Sequence, residues 1–138
     1  MTVLKVSNHI DEAVKVALED GLEANNIPFS GPSNWAPFQA AFYDEAGVLV
    51  GGLTGDSLNR WFKISLLWVR DDQQGKGLGQ QLMDAAEAEA RRRGDIGMTV
   101  KTYSYQAPEF YKKCGFSVFG TIEDYPPGYA CLYLSKRF

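Results

Sequence analysis

The chain has 138 residues, 45% hydrophobic and 22% charged, with a formal net charge of −3. That length suits a single domain over residues 1–138 and leaves no room for two, and the balance is that of a folded soluble protein, not a disordered one. A mildly acidic chain offers no basic face for nucleic acid, whose binding draws on cations that displace counterions from phosphates; it is compatible with a cationic substrate such as an amine.

The first residues are too poor in apolar side chains for a signal peptide. No run of about 18 apolar residues occurs, so no membrane contact is expected and the expected location is the cytoplasm. Cys114 and Cys131 form no C-x-x-C pair and read as reduced thiols. Cys114 has no evident histidine partner, because the only histidine is His9, and a small, partly buried thiol is its expected role. No metal ligand set is assigned.

In chain order, residues 2–7 alternate as a short strand, and residues 11–25 carry Val14, Ala17, Leu18 and Leu22 at helical spacing with Asn8 or Asp11 as cap. Residues 27–37 hold three prolines, a glycine and two serines and read as a loop. Residues 38–44 and 48–54 flank a turn and predict a hairpin. Residues 60–70 form the longest strand, apolar on both faces at its end, the mark of a central strand buried from both sides. A glycine-rich turn over 73–79 leads into a helix over 78–93. Arg91, Arg92, Arg93 and then Gly94 close that helix as solvent-facing cations and a left-handed residue. A strand at 96–103, a short helix at 107–113 opened by Pro108, and strands at 116–123 and 130–135 complete the chain. The sum is a mixed α/β (α+β) fold, largely antiparallel with one strand-helix-strand unit.

The turn is the informative piece. Gly75, Gly77 and Gly79 at alternate positions strip it of side chains, so its N–H groups can approach an anion. The helix that starts there adds unpaired N–H groups and the positive end of its dipole, and Lys76 adds a full charge. A phosphate or pyrophosphate seat is the physical expectation. No Gly-Lys-Ser or Gly-Lys-Thr is present for a P-loop, and the even glycine spacing does not fit G-x-G-x-x-G. An ordinary strand-to-helix turn is the bland alternative.

Val69 followed by QGKGLG (74–79) resembles the Q/R-x-x-G-x-G/A signature of the GNAT superfamily of acetyl-CoA-dependent N-acetyltransferases. APEFYKKCGF (107–116) is similar to that superfamily's second landmark, in the expected order and separation. The resemblance covers residues 48–138 well and the N-terminal part only by element order; SYQAPEFY (104–111) with EDYPPG (123–128) resembles a group of short stand-alone bacterial members. It implies a GNAT-like twisted, mostly antiparallel sheet with a strand-helix-strand acetyl-CoA site and helices on both faces.

It further implies that acetyl-CoA is the co-substrate and that its acetyl group passes by direct attack, in a ternary complex, to an amine of a small molecule. On this sequence the main chain of Leu67, Trp68 and Val69 would pair with the pantetheine arm, and the Val69 N–H would face the reacting carbonyl oxygen. Gln74, Gly75, Lys76, Gly77, Leu78 and Gly79 would hold the pyrophosphate. Gln106 and Phe110 would flank the thiol end, and Tyr111 would protonate the leaving thiolate. A homodimer is compatible with this reading.

One departure stands out. In a common family pattern a Glu sits on the central strand, but residues 60–69 contain no carboxylate and place Lys63 and Ser65 in the polar slots. Asp56, Glu123 and Asp124 are alternatives for the base, each also readable as a solvated turn carboxylate, and the assignment stays open. An acyl-CoA sensor that does not turn its ligand over, acetylation of a protein amine, and a ligand-free interaction domain are the rival readings. Trp35, Trp61, Tyr103, Tyr105 and Tyr125 are numerous enough to line an aromatic acceptor pocket, which would suit a cation through its ring faces, or to serve as plain packing. His9 reads as a surface or capping residue.

Overall fold

The computed structural model describes residues 1–138 and divides them into two bodies, Met1–Ser33 and Asn34–Phe138. In the first, Asp11 accepts a hydrogen bond from the Ala13 N–H at 2.9 Å and so caps helix α1 (Glu12–Ser30). The helix outruns its expected end at residue 25 and passes through Pro28. Proline removes one N–H from the ladder, and the last turn is closed beyond it by the Gly31 N–H on the Ile27 carbonyl at 2.8 Å. Part of the stretch read as a loop is therefore helix. The strand expected at 2–7 does not form: these residues are irregular and Val3, Leu4 and Val6 are exposed. Alternation describes side chains, whereas a strand also needs a neighbour for its N–H and C=O groups.

The second body is a six-stranded sheet in the order β1-β2-β3-β4-β6-β5. The strands are β1 (Ala36–Tyr43), β2 (Leu49–Leu58), β3 (Trp61–Val69), β4 (Gly97–Tyr103), β5 (Ser117–Glu123) and β6 (Ala130–Arg137). Helix α2 (Leu78–Arg92) links β3 to β4 and α3 (Pro108–Lys113) links β4 to β5. All neighbours are antiparallel except β3 and β4, because a helix crossover returns the chain in the same direction. This is the mixed, mostly antiparallel architecture read from the sequence.

Alternation sends Phe62 and Ile64 of β3, Met98 and Val100 of β4 and Leu134 of β6 to one face. There they meet Leu82, Met83, Ala86 and Ala90, a stripe at helical spacing on α2. Tyr111 of α3 and Phe116 join the same cluster, so both helices of this body share one face of the sheet. The central position expected for β3 holds, but within this body burial from both sides does not: Leu66 and Trp68, on the opposite face, are 68% and 52% exposed. No helix is long and apolar enough to cross a membrane.

The arginine run is not uniform. Arg92 is 72% exposed and pairs only with Glu89, whereas Arg93 is 15% exposed. The Arg93 guanidinium donates to the carbonyls of Ala36 (2.8 Å) and Pro37 (2.7 Å), to Ser57 Oγ (3.0 Å) and to Glu89 (3.1 Å). Ser57 Oγ in turn donates to Asp95 at 2.6 Å. Helix-end charge in solvent thus describes Arg92 but not Arg93, which ties the start of β1 and the end of β2 to α2. Replacing Arg93 by Met is expected to cost about 2–3 kcal/mol in urea unfolding, since several part-buried acceptors lose a charged donor at once. Arg92→Met is expected to stay within about 0.5 kcal/mol.

Candidate active site

β3 and β4 pair in register only from Trp61↔Gly97 to Ile64↔Val100. At that point β3 carries an extra residue: Thr54 pairs with Leu66 and Gly55 with Ile64, which leaves Ser65 without an opposite number on β2. Such a bulge bends its strand, and from here β3 and β4 part. Each keeps its outer neighbour, β3 through Gly51↔Val69 and β4 through Tyr103↔Cys131. The inner sides of both strands are left facing a gap.

Which main-chain groups face it follows from the ladder. The Arg70 N–H donates to the Val50 carbonyl at 2.8 Å, so Val50 and Arg70 form a hydrogen-bonded pair. Antiparallel pairs alternate, so Trp68 spends its peptide groups on Gly52, while Leu67 and Val69 turn theirs away from β2 and into the gap. The Val69 carbonyl accepts from the Gln74 side chain at 3.1 Å. That leaves the N–H of Val69, like that of Leu67, as an open donor.

A groove of about 810 Å³ runs from this gap to the glycine turn. The turn is braced from outside: Arg70 grips Asp72 through two bonds of 2.6 and 2.9 Å, and Gln74 reaches Asp71 as well as Val69. The charge-assisted bond to Arg70 holds the Asp72 carboxyl below its usual range. Gly75 (φ +76°) and Gly77 (φ +82°) adopt the left-handed conformation that disfavours a side chain. Gly79 is needed for another reason: a Cβ there would meet the Phe110 ring at 3.3 Å. Gly77 stands at the α2 N-cap without any side-chain cap, so the first N–H groups of the helix are left for a ligand. Lys76 approaches Gln73 Oε1 at 3.5 Å.

Across the gap, Gln106 Oε1 accepts from Thr102 Oγ1 and from the Tyr103 N–H, both at 3.0 Å. This seats the β4–α3 turn and brings Gln106, Phe110 and Tyr111 to the groove wall. Tyr111 packs edge-on to Phe110 (5.3 Å) and Phe116 (6.1 Å). Burial pushes its phenol up to about 12, with a smaller contribution from Cys114. Cys114 is itself pushed up by burial, which suits a packing thiol and not a nucleophile.

The three candidate bases lie elsewhere. Asp56 pairs with Lys63 at 3.9 Å and lines not the groove but an adjoining cleft of about 430 Å³, beside Phe38 and Thr54, that meets the groove at Ser65. Asp124 closes the β5–β6 turn by accepting from the Gly128 N–H at 3.3 Å, and Glu123 is exposed at the end of β5. No carboxylate lines the groove; its titratable groups are Lys101, Tyr103 and Tyr111. Of the five aromatic residues, Tyr103, Tyr105 and Tyr125 gather with Tyr129. Trp61 instead stacks with Arg137 at 5.5 Å, at the far end of β3, and Trp35 is exposed. Sequence reasoning missed Thr102, Lys101 and Tyr129; the alternation within 96–103 is the signal that separates Thr102 from Lys101 and Tyr103.

A model described as "Acetyltransferase (GNAT) family" matches residues 8–116. The chain is 44% identical over 94 residues, 67% of its length and 69% of the other's, to the blasticidin-S acetyltransferase of Streptomyces morookaense. It is 29% identical to an acetyltransferase of Agrobacterium fabrum over 96% of this chain and 97% of that one. The crystal structure of an acetyltransferase from Bacillus cereus superposes with a TM-score of 0.87 at 26% identity, covering 97% of this chain and 98% of that chain.

The Tyr111 environment has a consequence for stability. A phenol of ordinary value 10 in the unfolded chain and about 12 in the folded one leaves the native state holding the extra proton between those values. Its contribution is complete below pH 10 and is lost as pH rises through about 12. Unfolding measured across that window is expected to show a decline that Tyr111→Phe reduces.

Proposed function

Because the chain belongs to the GNAT acetyltransferase family, we propose that it transfers the acetyl group of acetyl-CoA to an amine of a small molecule, by direct attack with both substrates held together. The observation that carries this reading is the gap between β3 and β4, where the unpaired Val69 N–H opens beside a glycine turn at a helix N-terminus. A relative named for acetylating blasticidin S supports a small-molecule acceptor.

Acetyl-CoA supplies a thioester carbonyl for an uncharged amine, with a thiolate as leaving group. The residues present suit it. The main chain of Leu67 and Val69 offers a strand edge to an extended arm, and the amides of the turn and of the α2 start offer donors to a diphosphate. The Val69 N–H would stabilise the charge that develops on the carbonyl oxygen, a donor worth about 3 kcal/mol in comparable sites. Gln74 holds the Val69 carbonyl and so helps fix that residue.

Tyr111 keeps its proton throughout the neutral range. A thiol titrates near 8.5, so complete transfer from a phenol near 12 is uphill by roughly 5 kcal/mol. The favoured role is therefore a strong hydrogen bond to the departing sulfur, with the proton delivered as another returns to the Tyr111 oxygen from the amine side. Because the groove has no carboxylate, the acceptor enters as its free base or loses its proton to water. That same lack favours a second reading, an acyl-CoA sensor.

Two measurements test these readings. Acetyl-CoA at 100 times its Kd should stabilise the fold by about 2.7 kcal/mol in a melting scan; no stabilisation discards both. Thiol release with a panel of amines separates enzyme from sensor, and Tyr111→Phe should lower turnover by roughly 10²-fold or more while leaving acetyl-CoA affinity near normal. Unchanged turnover removes Tyr111 from the mechanism.

A further inference from the structure

The groove has a second side, away from the glycine turn. On β4, Met98, Val100 and Thr102 turn to the buried face, while Lys101 and Tyr103 turn the other way and line the groove. Tyr103 is stacked on Tyr105 (5.4 Å between centroids, 1° between planes) and on Tyr125 (5.8 Å, 26°). Tyr129 meets Tyr105 edge-on at 5.1 Å. Tyr105 and Tyr129 are half-exposed, so a continuous aromatic surface starts at the groove wall and reaches solvent.

Lys101 decides what that surface can take. Its Nζ stands 5.8 Å from the Tyr103 ring centroid and 6.0 Å from that of Tyr125. Tyr103, followed by Tyr125, holds its pKa above the ordinary value, and no carboxylate contributes. The ammonium is thus a permanent cation already seated on two of the ring faces. A second cation brought to those faces would be repelled by it, which turns the expectation of a cation-binding aromatic pocket around. What remains is flat π-surface beside one uncompensated positive charge.

We propose that this surface binds the acceptor and selects an amine built on a flat conjugated ring that carries a carboxylate or similar anionic group, the ring against the tyrosines and the anion toward Lys101. The proposal rests on the acetyl-transfer reading above and names its substrate class. An aliphatic polyamine, which offers neither a flat ring nor an anion, is the kind of acceptor it disfavours.

The test uses three probes on the full chain: 4-(aminomethyl)benzoate, benzylamine, which differs only by lacking the carboxylate, and spermidine. Binding is followed by ligand-observed NMR titration, with the melting shift produced by acetyl-CoA recorded on the same samples. The benzoate is expected to bind about tenfold or more tighter than either other probe, the effect of one well-placed charge-assisted contact. Lys101→Gln should erase the difference between benzoate and benzylamine, and Tyr105→Leu should weaken both ring probes together. Spermidine binding tightest, no binding by any probe, or binding unmoved in both variants would each overturn the proposal. A missing melting shift with acetyl-CoA overturns the acetyl-transfer reading instead, whatever the probes do.

Discussion

The parting of β3 from β4 after Ile64 and Val100 governs how this molecule can act. A parallel pair that stayed in register would consume the peptide groups of both strands and leave a smooth sheet. One additional residue on β3, Ser65, is enough to bend the strand away from its neighbour. Below the bulge, Phe62 and Ile64 anchor the core; above it, Leu67 and Val69 have main-chain groups with no partner across the gap. The outer ladders on β2 and β6 continue past the divergence, so the gap is held open by paired structure on either side and costs the sheet few hydrogen bonds.

The helix that follows serves stability and binding with different parts of itself. Its Leu82, Met83, Ala86 and Ala90 stripe fills the core, and its uncapped first turn faces the groove. Leaving those N–H groups without a cap forgoes about 1 kcal/mol of local stabilisation, a loss that a bound anion can reverse. The three glycines of the turn answer separate demands. Two permit left-handed backbone, and the third makes room for Phe110, which couples the turn to α3 and so to Tyr111.

Much of this was legible in the sequence. The helix beginning at Leu78, the glycines before it and the Phe110–Tyr111 pair on a short helix are local signals, and periodicity and turn chemistry report local structure well. The misses were non-local. Ser65 looks like any polar residue on a strand, and only the pairing on its two sides reveals it as an insertion. Arg93 is indistinguishable from Arg92 until β1 arrives to supply two carbonyls. Residues 2–7 alternate correctly but have no ladder to join, and Pro28 suggested a break where the helix tolerates one missing bond. The place of Lys101 is non-local too, since it comes from the rings around it. The absence of a strand carboxylate was readable from the start, and the groove, which recruits none from elsewhere, carries the same message.

The arrangement of β3 makes a residue-by-residue claim about three consecutive peptide groups, and amide hydrogen exchange read by NMR addresses it directly. With acetyl-CoA added, protection is expected to rise at Leu67 and Val69, whose N–H groups face the gap, and to stay nearly constant at Trp68, already bonded to β2. The amides of Leu78 and Gly79 at the start of α2 should gain protection in step. Equal gains at Trp68 and Val69, or no gain at either gap-facing position while the ligand is bound, would contradict the assignment of this gap as the acetyl-CoA site.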